Sequence, residues 1–188
     1  METYQWAGWV TFYKFMELLR TIKEGEIYPG LDSKNEKENK YRKAVRGVVL
    51  DDEDKVGLIF VARHNYYKLP GGGAEGSESD EDALKRECLE EIGCNVKVMQ
   101  EIGKVFEHRD KINLDQESFC YLAKVVGEKG KTNLVDYEIT DRFETVWVDI
   151  GKAIELVKTS KPGLDTYDGP FIIIRDEIFI NKAKEILK

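Results

Sequence analysis

The chain has 188 residues, of which 35% are charged and 41% hydrophobic, with a formal net charge of −7. This suits one soluble domain with a sizeable core and an added segment, and it excludes a nucleic-acid-coating surface, which would be basic. No apolar run approaches membrane-spanning length, and the start, METYQWAGW, lacks the basic residues and cleavage site of a signal peptide. A cytoplasmic location with no membrane partner is expected.

In chain order, residues 1 to about 22 carry Trp6, Trp9, Val10, Tyr13, Met16, Leu19 and Ile22 at helical spacing. They predict an amphipathic helix packed on its own domain, with a homodimer contact or a lid over the substrate as alternatives. Its polar face is too poor in Lys and Arg for a membrane-surface helix. Residues 23–40 are charged and contain Pro29-Gly30, which reads as a linker. Residues 1–40 therefore form an extension and 41–188 a catalytic domain. Residues 44–50 and 56–62 are rich in branched side chains and read as strands, with Asp51 to Asp54 turning between them. A short strand from Tyr67 to Leu69 leads into Pro70-Gly71-Gly72-Gly73, where the glycines let the backbone bend sharply or approach a ligand.

A helix follows. Ser79 caps it, Asp80, Glu81 and Asp82 suit its positive end, and Gly93 suits the left-handed turn that stops it. Leu84, Cys88 and Ile92 recur every four residues and face the core. Glu87 lies one turn from both Glu90 and Glu91, so the three share a face. Such a cluster repels itself unless a cation holds it. All-oxygen ligation suits Mg²⁺ or Mn²⁺, usually completed by water and substrate phosphates. The helix thus reads as a divalent-metal site acting on a phosphate compound.

Gly72, Glu78, Arg86, Glu87, Glu90, Glu91 and Gly93 stand at spacings that resemble the signature box of the Nudix hydrolase family. Those seven fixed residues, at roughly 7% usage each, match by chance on the order of 10⁻⁸ per start position. Cys88 and Cys94 occupy the box's two apolar positions and behave as small hydrophobes when buried. The resemblance implies that Arg86 braces Glu78 and that Glu87, Glu90 and Glu91 bind metal, with the Gly71 carbonyl as a further ligand. Glu75 matches another acidic position near the metals. Ser77 departs from the usual Gly and puts the local turn in doubt.

Further along, residues 95–107, 117–126 and 143–149 read as strands, with a charged connection between the first two. Residues 151–158 and 175–187 read as helices. The mixture predicts a mixed β-sheet between helices, in agreement with the family's α/β/α sandwich. The resemblance covers about residues 41–158, but only the box and its Leu-Pro-Gly-Gly-Gly entry are specific. Cys88, Cys94 and Cys120 show no metal-binding spacing and fit a reducing compartment.

The family cleaves a nucleoside diphosphate linked to another group by water attack at phosphorus, and the same reaction is expected here. One of the helix carboxylates, or Glu138 from a later loop, would take the proton from water. His64 and His108 are weaker candidates. Arg46 and Arg63 are candidate phosphate binders, and Tyr66, Tyr67 and Phe119 candidate stacking residues for a base. Each has an ordinary packing or surface role as its alternative. A nucleoside triphosphate, including an oxidised one, leads by elimination among small-molecule nucleotide substrates. The alternatives are a non-catalytic nucleotide-sensing module and an isoprenoid diphosphate isomerase. The isomerase would need a Cys and Glu pair in the pocket.

Overall fold

The computed structural model describes residues 16–31 and 38–188. A seven-stranded mixed sheet forms its middle layer. The strands are β1 (Leu18–Lys23), β2 (Lys40–Leu50), β3 (Val56–Val61), β4 (Tyr66–Lys68), β5 (Val96–Arg109), β6 (Leu114–Val125) and β7 (Phe143–Val148). Their order is β1-β5-β6-β2-β3-β4, with β7 paired to β3. β1 runs parallel to β5, β2 parallel to β6, and the other pairings are antiparallel. The helices are α1 (Glu24–Ile27), α2 (Asp80–Ile92), α3 (Asp136–Thr140), α4 (Ile150–Thr159) and α5 (Gly169–Ile186).

Side chains alternate between the two sheet faces, as a strand period of two requires. From β2, Val45 and Val49 point to a core shared with Leu84, Cys88 and Ile92 of α2. Val48 and Leu50 point to the opposite core, closed by Ala153 and Val157 of α4 and by Phe171, Phe179 and Ile180 of α5. The architecture is therefore a three-layer α/β/α sandwich. Gly47 lets α2 sit close, since a Cβ there would lie 2.9 Å from Leu84 Cδ1.

Two local features shape β2. The segment after β4 folds back along β2, where Val45 N–H donates to the Gly72 carbonyl and Gly47 N–H to the Pro70 carbonyl. Gly71 has φ 133°, and a Cβ there would collide with the Val45 carbonyl, so this approach needs glycine. At the β2–β3 turn, Asp51 Oδ1 accepts from Glu53 N–H and Lys55 N–H. This ties the two strands at the end of β2 away from its contact with Gly72.

Several element bounds differ from the sequence reading. The helix expected up to residue 22 is corrected at its end: Leu18–Lys23 is a strand on the free edge of β5, and residues 1–15 lie outside the described residues. Gly103 in β5 makes room for it, since a Cβ there would stand 2.6 Å from Leu19 Cγ. The expected linker is packed over Glu24 to Tyr28. Glu24 is buried, and Tyr28 stacks on Tyr167 with ring centroids 5.4 Å apart. β5 and β6 run further than expected and meet at a tight turn, because His108 Nδ1 and Asp115 Oδ1 pair across them at 2.9 Å. α5 starts at Gly169 rather than 175, with Pro170 in its first turn.

Candidate active site

α2 carries the signature residues, and its ends are set by local chemistry. Ser79 Oγ accepts a hydrogen bond from Asp82 N–H at 3.1 Å, and Gly93 closes the helix at φ 66°. Between them, Arg86 is the hub. Its Nε and Nη2 grip the two oxygens of Glu78 at 3.1 Å each, a fork-to-fork pair. Nη2 also donates to the Gly73 carbonyl at 3.0 Å, while Nη1 reaches Glu87 Oε1 at 2.9 Å and Glu90 Oε2 at 3.2 Å. One guanidinium therefore joins the loop, its glutamate and two carboxylates of the helix.

Glu91 is held from the other side. Lys68 Nζ stands 2.6 Å from its Oε1, and Gly71 N–H donates to its Oε2 at 2.6 Å. Glu87 and Glu91 are both buried, while Glu90 is partly exposed. Burial, followed by the charge of Glu91, raises the pKa of Glu87 above its ordinary value. Glu78 moves the other way, lowered chiefly by its hydrogen bond from Arg86. Glu138 is buried at the start of α3, where its Oε2 accepts from Val135 N–H and its Oε1 from the Tyr137 hydroxyl. Burial and then Glu138 raise the Tyr137 pKa, and Glu91 and Glu87 contribute further. α3 therefore sits within the field of the α2 carboxylates.

The donor set fits a hard divalent cation in kind. It offers only oxygen, and burial together with the charge of Glu91, which raise the pKa of Glu87, disfavour a bare carboxylate that such an ion would stabilise. In this structure, Arg86 and Lys68 supply the counter-charge instead, and no three ligating side chains converge on one point among the described residues.

The four expected substrate-binding side chains are not brought together. Arg46 is buried on the α5 side, and burial, then Arg175, pushes its pKa down to about 10. Arg63 is half exposed and lies 3.6 Å from Asp141. Tyr67 stacks on Phe60 at 4.7 Å and packs against the α4–α5 core, whereas its neighbour Tyr66 lines a cavity with Arg46. Phe119 lies between Lys43 and Lys104, whose Nζ atoms are 4.7 and 5.5 Å from its ring centroid. Sequence reasoning missed Lys68, Tyr137 and Arg175. Only Arg175 left a signal: an Arg-Asp pair inside the apolar run FIIIRDEIFI.

The NUDIX domain family model matches residues 40–167, which takes in the loop, α2 and α3. The chain belongs to the Nudix family. As a Nudix protein it is a pyrophosphohydrolase, and divalent metal ions are the general cofactor of that family. A protein of Sulfurovum sp. (strain NBC37-1) named RNA pyrophosphohydrolase is 30% identical over 62% of this chain and 83% of its own length. One of the same name from Ruthia magnifica subsp. Calyptogena magnifica is 26% identical over 77% of this chain and 87% of its own. A Nudix hydrolase of Nitrosomonas europaea shares the fold, with a TM-score of 0.56 at 18% identity over 78% of this chain and 90% of that one. Among the described residues, no helix is long and apolar enough to cross a membrane.

Proposed function

We propose that this Nudix enzyme hydrolyses the diphosphate linkage of a nucleotide, with Mg²⁺ or Mn²⁺ held by Glu87, Glu90 and Glu91 and the Gly71 carbonyl. The observation that supports this reading is the Arg86 hub, which ties Glu78, Glu87 and Glu90 into one charged lattice under the glycine loop. When bound, a divalent ion polarises phosphoryl oxygens and lowers the pKa of water. The chain's own residues do the rest. Arg86 fixes the carboxylates, Gly72 lets the loop lie against Glu87, and the α3 turn holds Glu138 in place. A site carboxylate accepts the proton from the attacking water, and Glu138 is the candidate outside α2.

The leading substrate is a nucleoside triphosphate, oxidised ones included. The net charge of −7 favours a mononucleotide over a long polyanion. The 5′-triphosphate end of RNA is the second reading, favoured by the names of the two relatives. An isomerase is disfavoured because Cys88, Cys94 and Cys120 are all fully buried in the core. Those buried free thiols suit a reducing compartment, so we place the protein in the cytoplasm.

The test is a phosphate- and pyrophosphate-release screen with each cation. Its substrates are nucleoside triphosphates, nucleoside diphosphate sugars and a 5′-triphosphorylated RNA oligonucleotide. Hydrolysis of a triphosphate is expected, and no turnover on any of these compounds would overturn the reading. Glu90→Gln should lower turnover on the order of 100-fold, the scale of a lost charged contact to the transition state. A similar fall in Glu138→Gln, with a changed pH profile, would assign the proton to Glu138.

A further inference from the structure

A cavity of about 340 Å³ opens where β2 and β4 meet α3 and the start of α5, and Lys68 on its wall pairs with Glu91 of α2. Its deep end is basic, lined by Arg46 of β2, Lys68 of β4 and Arg175 of α5, and its more exposed rim carries His64, Asp141 and Asp165. Lys68 is committed to Glu91. Each guanidinium keeps donors that are not matched among the described residues. Arg46 gives Nη1 to the Val45 carbonyl at 2.7 Å, while its Nε has no hydrogen-bond partner among the described residues. Arg175 is 1% exposed and gives Nε to Asp176 Oδ1 at 2.8 Å. Glu107 Oε2 stands 3.8 Å from its Nη1, beyond hydrogen-bond reach, and neither Nη1 nor Nη2 has a hydrogen-bond partner among the described residues.

Buried donors left without acceptors are costly, and more so when charged. Asp176 and Glu107 counter the charge of Arg175 but take only its Nε in a hydrogen bond, and among the described residues its two Nη groups and the Nε of Arg46 stay unmatched. A group with several anionic oxygens in one compact unit would satisfy these donors together, and phosphate is such a group.

We propose that this cavity is a phosphate subsite in which Arg175 joins Arg46 in binding the phosphate chain of the substrate. Its use by the substrate rests on the hydrolase reading above. Arg175 lies beyond residues 40–167, which match the family model, so the last helix of this chain supplies a group from outside that match.

The test uses the full-length protein in EDTA, titrated calorimetrically with inorganic pyrophosphate and, separately, with inorganic phosphate. The wild type should bind one pyrophosphate, and more tightly than phosphate. Equal or tighter phosphate binding would overturn the assignment to the substrate's chain in favour of a free anion. Arg175→Gln should keep its circular-dichroism spectrum and weaken pyrophosphate by about tenfold or more, the scale of a lost charge-assisted bond. Arg175→Lys should recover part of that loss. Wild-type affinity in folded Arg175→Gln, or no pyrophosphate binding by the wild type, would overturn the subsite. If Arg175→Gln does not fold, Ile172→Trp decides, because it fills the cavity from a half-buried wall without changing charge. Lost affinity in that variant supports the subsite and unchanged affinity overturns it. Failure of the hydrolase reading looks different: pyrophosphate would still bind through Arg175 while no nucleotide was hydrolysed with either cation.

Discussion

Arg86 concentrates more of the site than any other single side chain, because one planar guanidinium meets three carboxylates and a carbonyl. Arg86→Ala should lower turnover by about 10–100-fold, as lost support of metal-binding groups does. It should also change acid stability, and the sign follows from Glu78, whose pKa is held below its ordinary 4.5 mainly by Arg86. A depressed carboxylate contributes stability above its unfolded value and loses it as pH falls through the folded one. Thermal melts below pH 4.5 should therefore show a shallower loss in Arg86→Ala than in the wild type. Parallel curves would remove Arg86 from that role. Gly72 tests the geometry from the other side. A Cβ there would lie 2.6 Å from Glu87 Cδ, and the flexible carboxylate is what would have to move. Gly72→Ala should change stability by less than about 1 kcal/mol yet reduce turnover several-fold. Unchanged kinetics would show that Glu87 tolerates displacement. The Arg86–Glu78 pair was legible only through the family resemblance that the box carries, and the two side chains lie 3.1 Å apart in the structure. Lys68 and Arg175 were not, since only the tertiary fold brings Lys68 to Glu91 and Arg175 to the cavity of Arg46. Tyr67 shows a subtler failure. Neighbours on a strand face opposite ways, so its one-residue neighbour Tyr66 is the tyrosine in the cavity.

At the scale of elements, α2 was readable from end to end, because both its caps are written in residue types. Its stop is the more exacting. Gly93 sits at φ 66°, and a Cβ would come within 2.5 Å of the Gly130 carbonyl, whose own residue donates its N–H back to Gly93. Gly93→Ala combines left-handed strain with a backbone collision, so it should cost about 1–3 kcal/mol. Urea unfolding that gave wild-type stability would show that the segment around Gly130 can yield. Turnover should fall as well, because Glu90 and Glu91 lie in the last turn of the helix, directly before Gly93. Other elements were less legible for physical reasons. Leu19 and Ile22, three apart, fit a helical stripe better than a regular strand. They share one core on β1, whose pairing shifts register between Leu18 and Arg20 along the open edge of β5, which no local pattern reveals. The start of α5 was hidden by Ile172, Ile173 and Ile174, whose branched side chains have weak helix propensity. Burial against the sheet overrides it, as Phe171 and Phe179 are both fully enclosed.

Across the whole molecule, β1 and all of α5 stand outside the family match, and they hold each other. Ile22 is fully buried in the core that contains Phe171, Phe179 and Ile180. Glu17 meets Lys182 at 3.1 Å, and the Tyr28 hydroxyl donates to the Tyr167 carbonyl at 2.9 Å. The Tyr167 hydroxyl in turn donates to Glu24, and Tyr167 lines the cavity that Arg175 enters. The N-terminal strand is thus coupled through Tyr28 and Tyr167 to the wall of the proposed phosphate subsite. Deleting residues 1–31 should therefore act at two levels. It removes the burial of Ile22 and the packing of Tyr28, which together contribute at least about 3 kcal/mol, so the melting temperature should fall. It also leaves β5 as an open edge from Lys104 to His108, a template for self-association. The truncated chain should aggregate or change its solution mass, and pyrophosphate binding should weaken although Arg175 and Arg46 are both retained. The deletion leaves in place Arg86 and Lys68, which hold the α2 carboxylates, so any activity left in soluble material should keep its dependence on the cation. A truncated protein with unchanged melting temperature, solution mass and pyrophosphate affinity would show the first 31 residues to be dispensable.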